Sequence, residues 1–134
     1  MKLSQRILLE VEQAAGEFAK KHRYRLGDEL RANARDVVRT ANRAWRTHID
    51  RGAAIAALST AIDELKITLQ LCQDIRAFSG FSRFEQLITV AHDLGRRCGG
   101  WQKKHPIGQS RPAHVPSGSA SLLSARDASQ GANP

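Results

Sequence analysis

Proline is confined to one end of this chain. All four prolines, Pro106, Pro112, Pro116 and Pro134, follow Trp101. Proline removes a backbone donor and clashes with the preceding helical turn, so the stretch before Pro106 is where long uninterrupted helices can form. Apolar residues recur there in steps of three and four, the spacing of one buried helical face. The spacing predicts four helices, at about residues 3–20, 27–48, 53–78 and 83–101. The first carries Leu3, Ile7, Val11, Ala14 and Phe18 on one line. The second carries Leu30, Ala34, Val37, Ala41, Ala44 and His48, with Trp45 beside them. The third carries Ile55, Leu58, Ile62, Leu65, Leu69 and Cys72. The fourth carries Phe84, Leu87, Ala91, Leu94, Cys98 and Trp101.

Short breaks separate the last three segments. Asp50-Arg51-Gly52 precedes the third helix, where glycine can take positive φ, and Ser79-Gly80 precedes the fourth. Ser82 and Glu85 have capping-box spacing. Connections this short make consecutive helices antiparallel, so residues 1–104 are expected to fold as an all-α, up-and-down antiparallel four-helix bundle. The remainder, 105–134, is rich in Ser, Gly, Ala and Pro, and Leu122-Leu123 is its one apolar cluster. Such a segment cannot bury enough surface to offset its ordering entropy and is expected to be a disordered C-terminal tail.

Charge narrows the function. The 134 residues carry a net +8, which points to an anionic partner, nucleic acid being the commonest and an acidic protein or membrane surface the alternatives. Two cysteines, Cys72 and Cys98, are too few for a disulfide framework, and no Cys/His cluster has zinc spacing. The N-terminus has no uninterrupted apolar run, and nothing approaches the length of a membrane span. The expectation is a cytoplasmic protein with reduced thiols, no metal and no cofactor. Paired carboxylates, a nucleophile with a base and a glycine-rich phosphate loop are all missing, so no enzyme is expected.

Two basic features stand out. Arg31, Arg35, Arg39 and Arg43 recur every four residues along the second helix, with Arg46 on the same side. They centre opposite the Leu30–Ala41 line, with Asp36 at the edge, and each rises about 6 Å above the last, close to the phosphate spacing of a strand. Either this is a solvated face or it binds anions; the near absence of acids favours binding. The junction Lys20-Lys21-His22-Arg23-Tyr24-Arg25 leads into that helix, near its positive dipole end. Tyr24 there either stacks on a base or packs on the bundle.

The third helix has a second apolar face. Ile67, Leu71, Ile75 and Phe78 lie opposite the Ile62–Leu69 line. A bundle helix needs one buried stripe, so two imply a subunit contact, unless the first helix or the tail covers the second. Cys72 and Cys98 read as inert core residues, His48 as a partly buried cap, and His22 and His92 as histidines without a second ligand. Asp63, Glu64 and Asp93 read as isolated acids on solvent faces.

The order of parts resembles a small family of four-helix-bundle proteins. The basic run ending in Leu26-Gly27, then Leu65-Lys66 in a long third helix, then Leu94-Gly95-Arg96 and Gly99-Gly100-Trp101 are similar to the Avd family, the accessory variability determinants of diversity-generating retroelements. More distantly they resemble proteins encoded in ribosomal-RNA intervening sequences. Those carry an Asn-Ile-Ala-Glu-Gly-like stretch where this chain reads Ala41-Asn42-Arg43-Ala44-Trp45, a departure that favours the Avd side. The likeness spans roughly residues 3–104. It implies a homopentameric barrel that binds the element's reverse transcriptase and template RNA and supports cDNA synthesis and adenine-directed mutagenesis without being the polymerase. Lys66 and Arg96 match basic family positions; the second-helix arginines come from the residues alone.

The expected nucleic-acid-binding set is therefore Lys20, Lys21, Arg23, Arg25, Arg31, Arg35, Arg39, Arg43, Arg46, Lys66 and Arg96. The expected oligomer interface is Ile67, Leu71, Ile75 and Phe78. The competing expectation is a helical scaffold or toxin-like regulator that binds an acidic protein.

Overall fold

A computed structural model describes residues 2–107. It contains α1 (Lys2–Gly16), the single turn α2 (Lys20–Arg23), α3 (Arg25–Arg46), α4 (Arg51–Asp74) and α5 (Phe81–Lys104). No strand occurs among the described residues. The four long helices form a closed ring in which α1 packs on α3, α3 on α4, α4 on α5 and α5 on α1. Consecutive long helices run antiparallel, so α3 and α5 end at the same end of the bundle, where α4 begins. The all-α bundle expected from the apolar spacing is what the chain forms. Of the expected tail, residues 108–134 lie outside the described residues.

The four expected apolar lines meet in one core. Ile7, Val11 and Phe18, Leu30 and Val37, Ile55, Leu58, Ile62, Leu65 and Leu69, and Leu87 and Leu94 are all essentially inaccessible. Alanines 34, 41 and 44 of α3 are buried, and the buried residues of α4 are mostly Leu and Ile. These two helices pack more extensively than any other pair. Thr68, itself buried, donates its hydroxyl to the Asn33 side chain and ties α4 to α3 at a point where both faces would otherwise be apolar.

The turns differ from expectation in instructive ways. The first helix stops at Gly16 rather than residue 20, because Ala19 is extended (φ −55°, ψ 146°) and the lysines that follow start a separate turn. Before α4 the left-handed residue is Asp50 (φ 56°), not Gly52. Gly52 lies inside α4 for a different reason: a Cβ there would stand 2.6 Å from the carbonyl oxygens of His105 and Pro106, where the chain leaving α5 crosses α4. Arg51 turns back to donate to the carbonyls of Thr47 at 2.8 Å and Trp45 at 3.3 Å, closing the C-terminus of α3.

At the end of α4, Arg76 takes the left-handed position (φ 60°). Its N–H donates to Gln73 O at 3.0 Å and that of Ala77 to Cys72 O at 2.8 Å, with Ala77 and Cys72 both buried. This is a Schellman closure built on arginine instead of glycine. The capping box does not form: α5 starts at Phe81 with extended Gly80 as its cap, so Ser82 is already inside the helix. Arg83 instead grips the Glu17 carboxylate with bonds of 3.1 and 3.2 Å, fastening the start of α5 to the end of α1.

Candidate nucleic-acid interface

The arginine stripe of α3 separates into two kinds of residue. Arg31 is mostly covered, donating to Glu12 of α1 at 2.9 Å and to Asp28 at 3.2 Å. Its guanidinium is a strut between two helices. Arg39 is exposed but paired with Asp36 one turn back. Arg35, Arg43 and Arg46 are exposed and make no ion pair among the described residues. Unneutralised guanidinium on a helix surface presents a planar fork suited to bidentate phosphate contact.

Lys20, Lys21, Arg23 and Arg25 are all exposed at the opposite end of α3. Tyr24 is 71% exposed, so it does not pack on the bundle. The expected continuous basic surface is interrupted between this junction and Arg35, because Asp28 and the Arg31 ion pairs intervene. Lys21, His22 and Arg25 instead rim a cleft of about 450 Å³ floored by Leu26, Leu71 and Ile75. The junction thus borders the second apolar face of α4.

That face is partly as expected. Ile67, Leu71 and Ile75 are 63%, 44% and 40% exposed. Phe78 is not with them. It is buried, edge-on to Phe18 at 5.2 Å and tilted against Phe84 at 6.0 Å. Helical periodicity ends at Asp74, and the reversal at Arg76 swings Phe78 into the core. The alternative cover by α1 does not arise, since α1 packs on α3 and α5.

Lys66 and Arg96, thirty positions apart in sequence, meet in a groove of about 300 Å³ between α4 and α5, which Ser59, Ile62, Asp63, His92 and Gly95 also line. Lys66 Nζ lies 4.0 Å from Asp63, and Arg96 pairs with Asp93. A Cβ on Gly95 would come within 3.0 Å of Lys66 Nζ, so this glycine makes room for the ammonium against α5. In the ring of helices α4 stands between this groove and the arginine face of α3, so the two basic features are separate surfaces.

Periodicity alone did not single out the pair Trp45 and Trp101. Trp45 is 70% exposed near the end of α3, and its ring lies 5.9 Å from that of Trp101, which is half-buried near the end of α5. His105 stands edge-on to Trp101 at 6.5 Å. The usable signal was positional: each tryptophan falls at the end of an alternate helix, and an up-and-down bundle brings such ends together.

The thiols offer no chemistry at neutral pH. Burial, reinforced by the negative charge of Glu29, pushes Cys72 up to about 11. Burial, with Asp63 adding to it, also raises Cys98, whose Sγ contacts Ile55 O at 3.7 Å. His48 is exposed rather than a buried cap. Among the described residues no group of three His, Cys, Asp or Glu could hold a metal ion, and no helix is long and apolar enough to cross a membrane. No family model matches the chain, and neither a curated protein nor a solved structure matches it significantly.

Proposed function

We propose that this protein is a nucleic-acid-binding accessory subunit, of the kind that serves a diversity-generating retroelement. It would hold template RNA against the element's reverse transcriptase and so support cDNA synthesis and mutagenic retrohoming. The observation that carries the proposal is the face of α3 on which Arg35, Arg43 and Arg46 stand exposed and make no ion pair among the described residues. Three unneutralised cations along one helix lower the cost of bringing phosphates together and release condensed counterions on binding. The exposed Ile67, Leu71 and Ile75 support assembly into a homo-oligomer, a pentamer by the Avd resemblance.

The second reading is a helical scaffold for an acidic protein, related to the intervening-sequence proteins. The cleft in which Lys21 and Arg25 overhang Leu71 and Ile75 favours it, because a basic rim over an apolar floor suits an acidic amphipathic helix. One measurement separates the readings, and a second tests the assembly that both include. RNA retention that falls steeply between about 50 and 200 mM salt supports the first, and no retention at the lower salt refutes it. Light scattering on an Ile67→Glu, Leu71→Glu double variant should show loss of assembly. An unchanged mass refutes α4 as the subunit contact.

A further inference from the structure

We infer that the Trp45–Trp101 pair is a stacking platform for unpaired bases, so that the nucleic acid this protein takes is single-stranded. This rests on the nucleic-acid reading above and adds strandedness to it.

The pair joins α3 and α5, which sit diagonally across the ring of helices, so the two indoles lie over one end of the bundle. Capping the core does not account for Trp45, because 70% of it remains in contact with solvent. A tryptophan buries 150–250 Å² when it is covered, so leaving the ring open forgoes a large apolar gain. The surroundings identify what covers it. Arg46 follows Trp45 directly, and Lys103 and Lys104 follow Trp101 by two and three residues; all three are exposed and without ion pairs among the described residues. From 95 to 107 the chain has no acid, and from 43 to 51 it has Asp50 alone.

An exposed aromatic pair with cations on the same two helix ends calls for a partner with flat rings and negative charge in alternation. Single-stranded nucleic acid has that composition, one base and one phosphate per unit, and base–indole stacking tolerates any sequence. A duplex offers the phosphates but keeps its base faces in the stack. The chain's own residues 108–134 are a poorer match, since Arg111 and Arg126 against Asp127 leave that stretch positive. Exposed Ile49, close by in sequence, widens the apolar part of the surface.

The protein has two tryptophans and both are in this pair, so tryptophan emission of the full chain, excited beyond the absorption of its one tyrosine, reports on the site alone. The titrants are an oligouridylate of about a dozen nucleotides, near the span of one small domain, and a duplex of the same length. Emission should quench on adding the single strand and change little with the duplex. Trp45→Leu keeps an apolar side chain at an exposed position, so the fold should survive. It should weaken single-strand binding by about 5- to 150-fold, the worth of one stacked base, with duplex affinity and salt slope unchanged. Arg46→Gln should lower the salt slope for the single strand by about 0.7. Single-strand binding with unchanged emission, or a Trp45→Leu loss equal for both strand forms, overturns the stacking site and leaves the nucleic-acid reading standing. Failure of both forms to bind at about 50 mM salt overturns both.

Discussion

The split within the arginine stripe makes a quantitative prediction, because residues of one type and one spacing should behave in opposite ways. Arg35→Gln, Arg43→Gln and Arg46→Gln together remove three exposed cations while helix propensity stays nearly constant. Each lost phosphate contact lowers the log–log salt slope by about 0.7 on a single strand, so the triple variant should lose about 2 units. Acting over the decade below a molar reference, that slope is about a hundredfold in affinity at 0.1 M salt. Arg43 and Arg46 lie in the last turn of α3, where a cation gains about 0.3–1 kcal/mol from the helix dipole, so the variant should also lose about 1 kcal/mol of stability. Arg31→Gln should do the reverse. It cuts the bonds to Glu12 and Asp28, partly screened pairs worth roughly 0.2–1 kcal/mol each. A Tm drop of about 4–8 °C per kcal/mol follows for a domain of this size, with the salt slope unchanged. Fluorescence-anisotropy titrations at several salt concentrations, with thermal melts of the same samples, measure both quantities. If Arg31→Gln lowers the slope as much per residue as the triple variant does, the distinction between strut and binding residue is wrong.

Three further predictions concern the turns and the thiols. Arg76→Gly should raise stability by about 1 kcal/mol, since it relieves a left-handed arginine without touching the Cys72 and Gln73 carbonyl bonds; an unchanged or lower Tm would show that the arginine side chain contributes more than the strain costs. Gly52→Ala should cost about 1–3 kcal/mol, because its methyl meets two backbone carbonyl oxygens at 2.6 Å; a neutral result in a melt would mean that residues 105 and 106 move aside freely. Cys72 should resist thiol reagents at pH 8 until denaturant is added, since its thiol stays protonated up to about 11. A raised acid favours the neutral form in the fold, so stability is full below the ordinary thiol value near 9.0 and falls as pH rises from there through about 11. A pH series of melts that stays flat across that window contradicts it.

The parts of this fold that could be read from sequence are those set by local repetition. Ile7, Leu30, Ile62 and Leu87 each sit on a line of apolar residues one helical turn apart, and each is buried in the core. What escaped depends on backbone state or on residues far apart. Nothing in the letters says that Asp50 and Arg76, rather than nearby Gly52 and Gly80, take positive φ. Steric exclusion by the crossing chain needs Gly52 for a separate purpose. Phe78 continued the 3–4 spacing of α4 on paper, but the spacing has meaning only while the helix lasts, and α4 ends at Asp74. Arg31 shares the spacing of its stripe neighbours and differs through Asp28, three positions back, and above all through Glu12, nineteen positions earlier on another helix.

The distribution of charge connects fold and candidate interface. Near the α1–α3 junction, bases alternate with Glu12, Glu17, Asp28 and Glu29, and two of these acids fasten helices together, Glu12 through Arg31 and Glu17 through Arg83. At the other end, where α3 and α5 finish, Arg43, Arg46, Lys103 and Lys104 have no such partners among the described residues. Their placement satisfies the fold independently, since cations at a helix C-terminus offset its negative dipole end. That need is met by one or two charges per helix and does not require their sequence neighbours to be poor in acid, nor two indoles to remain partly open near them. The dipole accounts for where these cations sit, and the proposed binding would account for what surrounds them. The two contributions differ in their response to salt. Both weaken as ionic strength rises, but the dipole gain changes by fractions of a kcal/mol, whereas counterion release multiplies with every phosphate engaged.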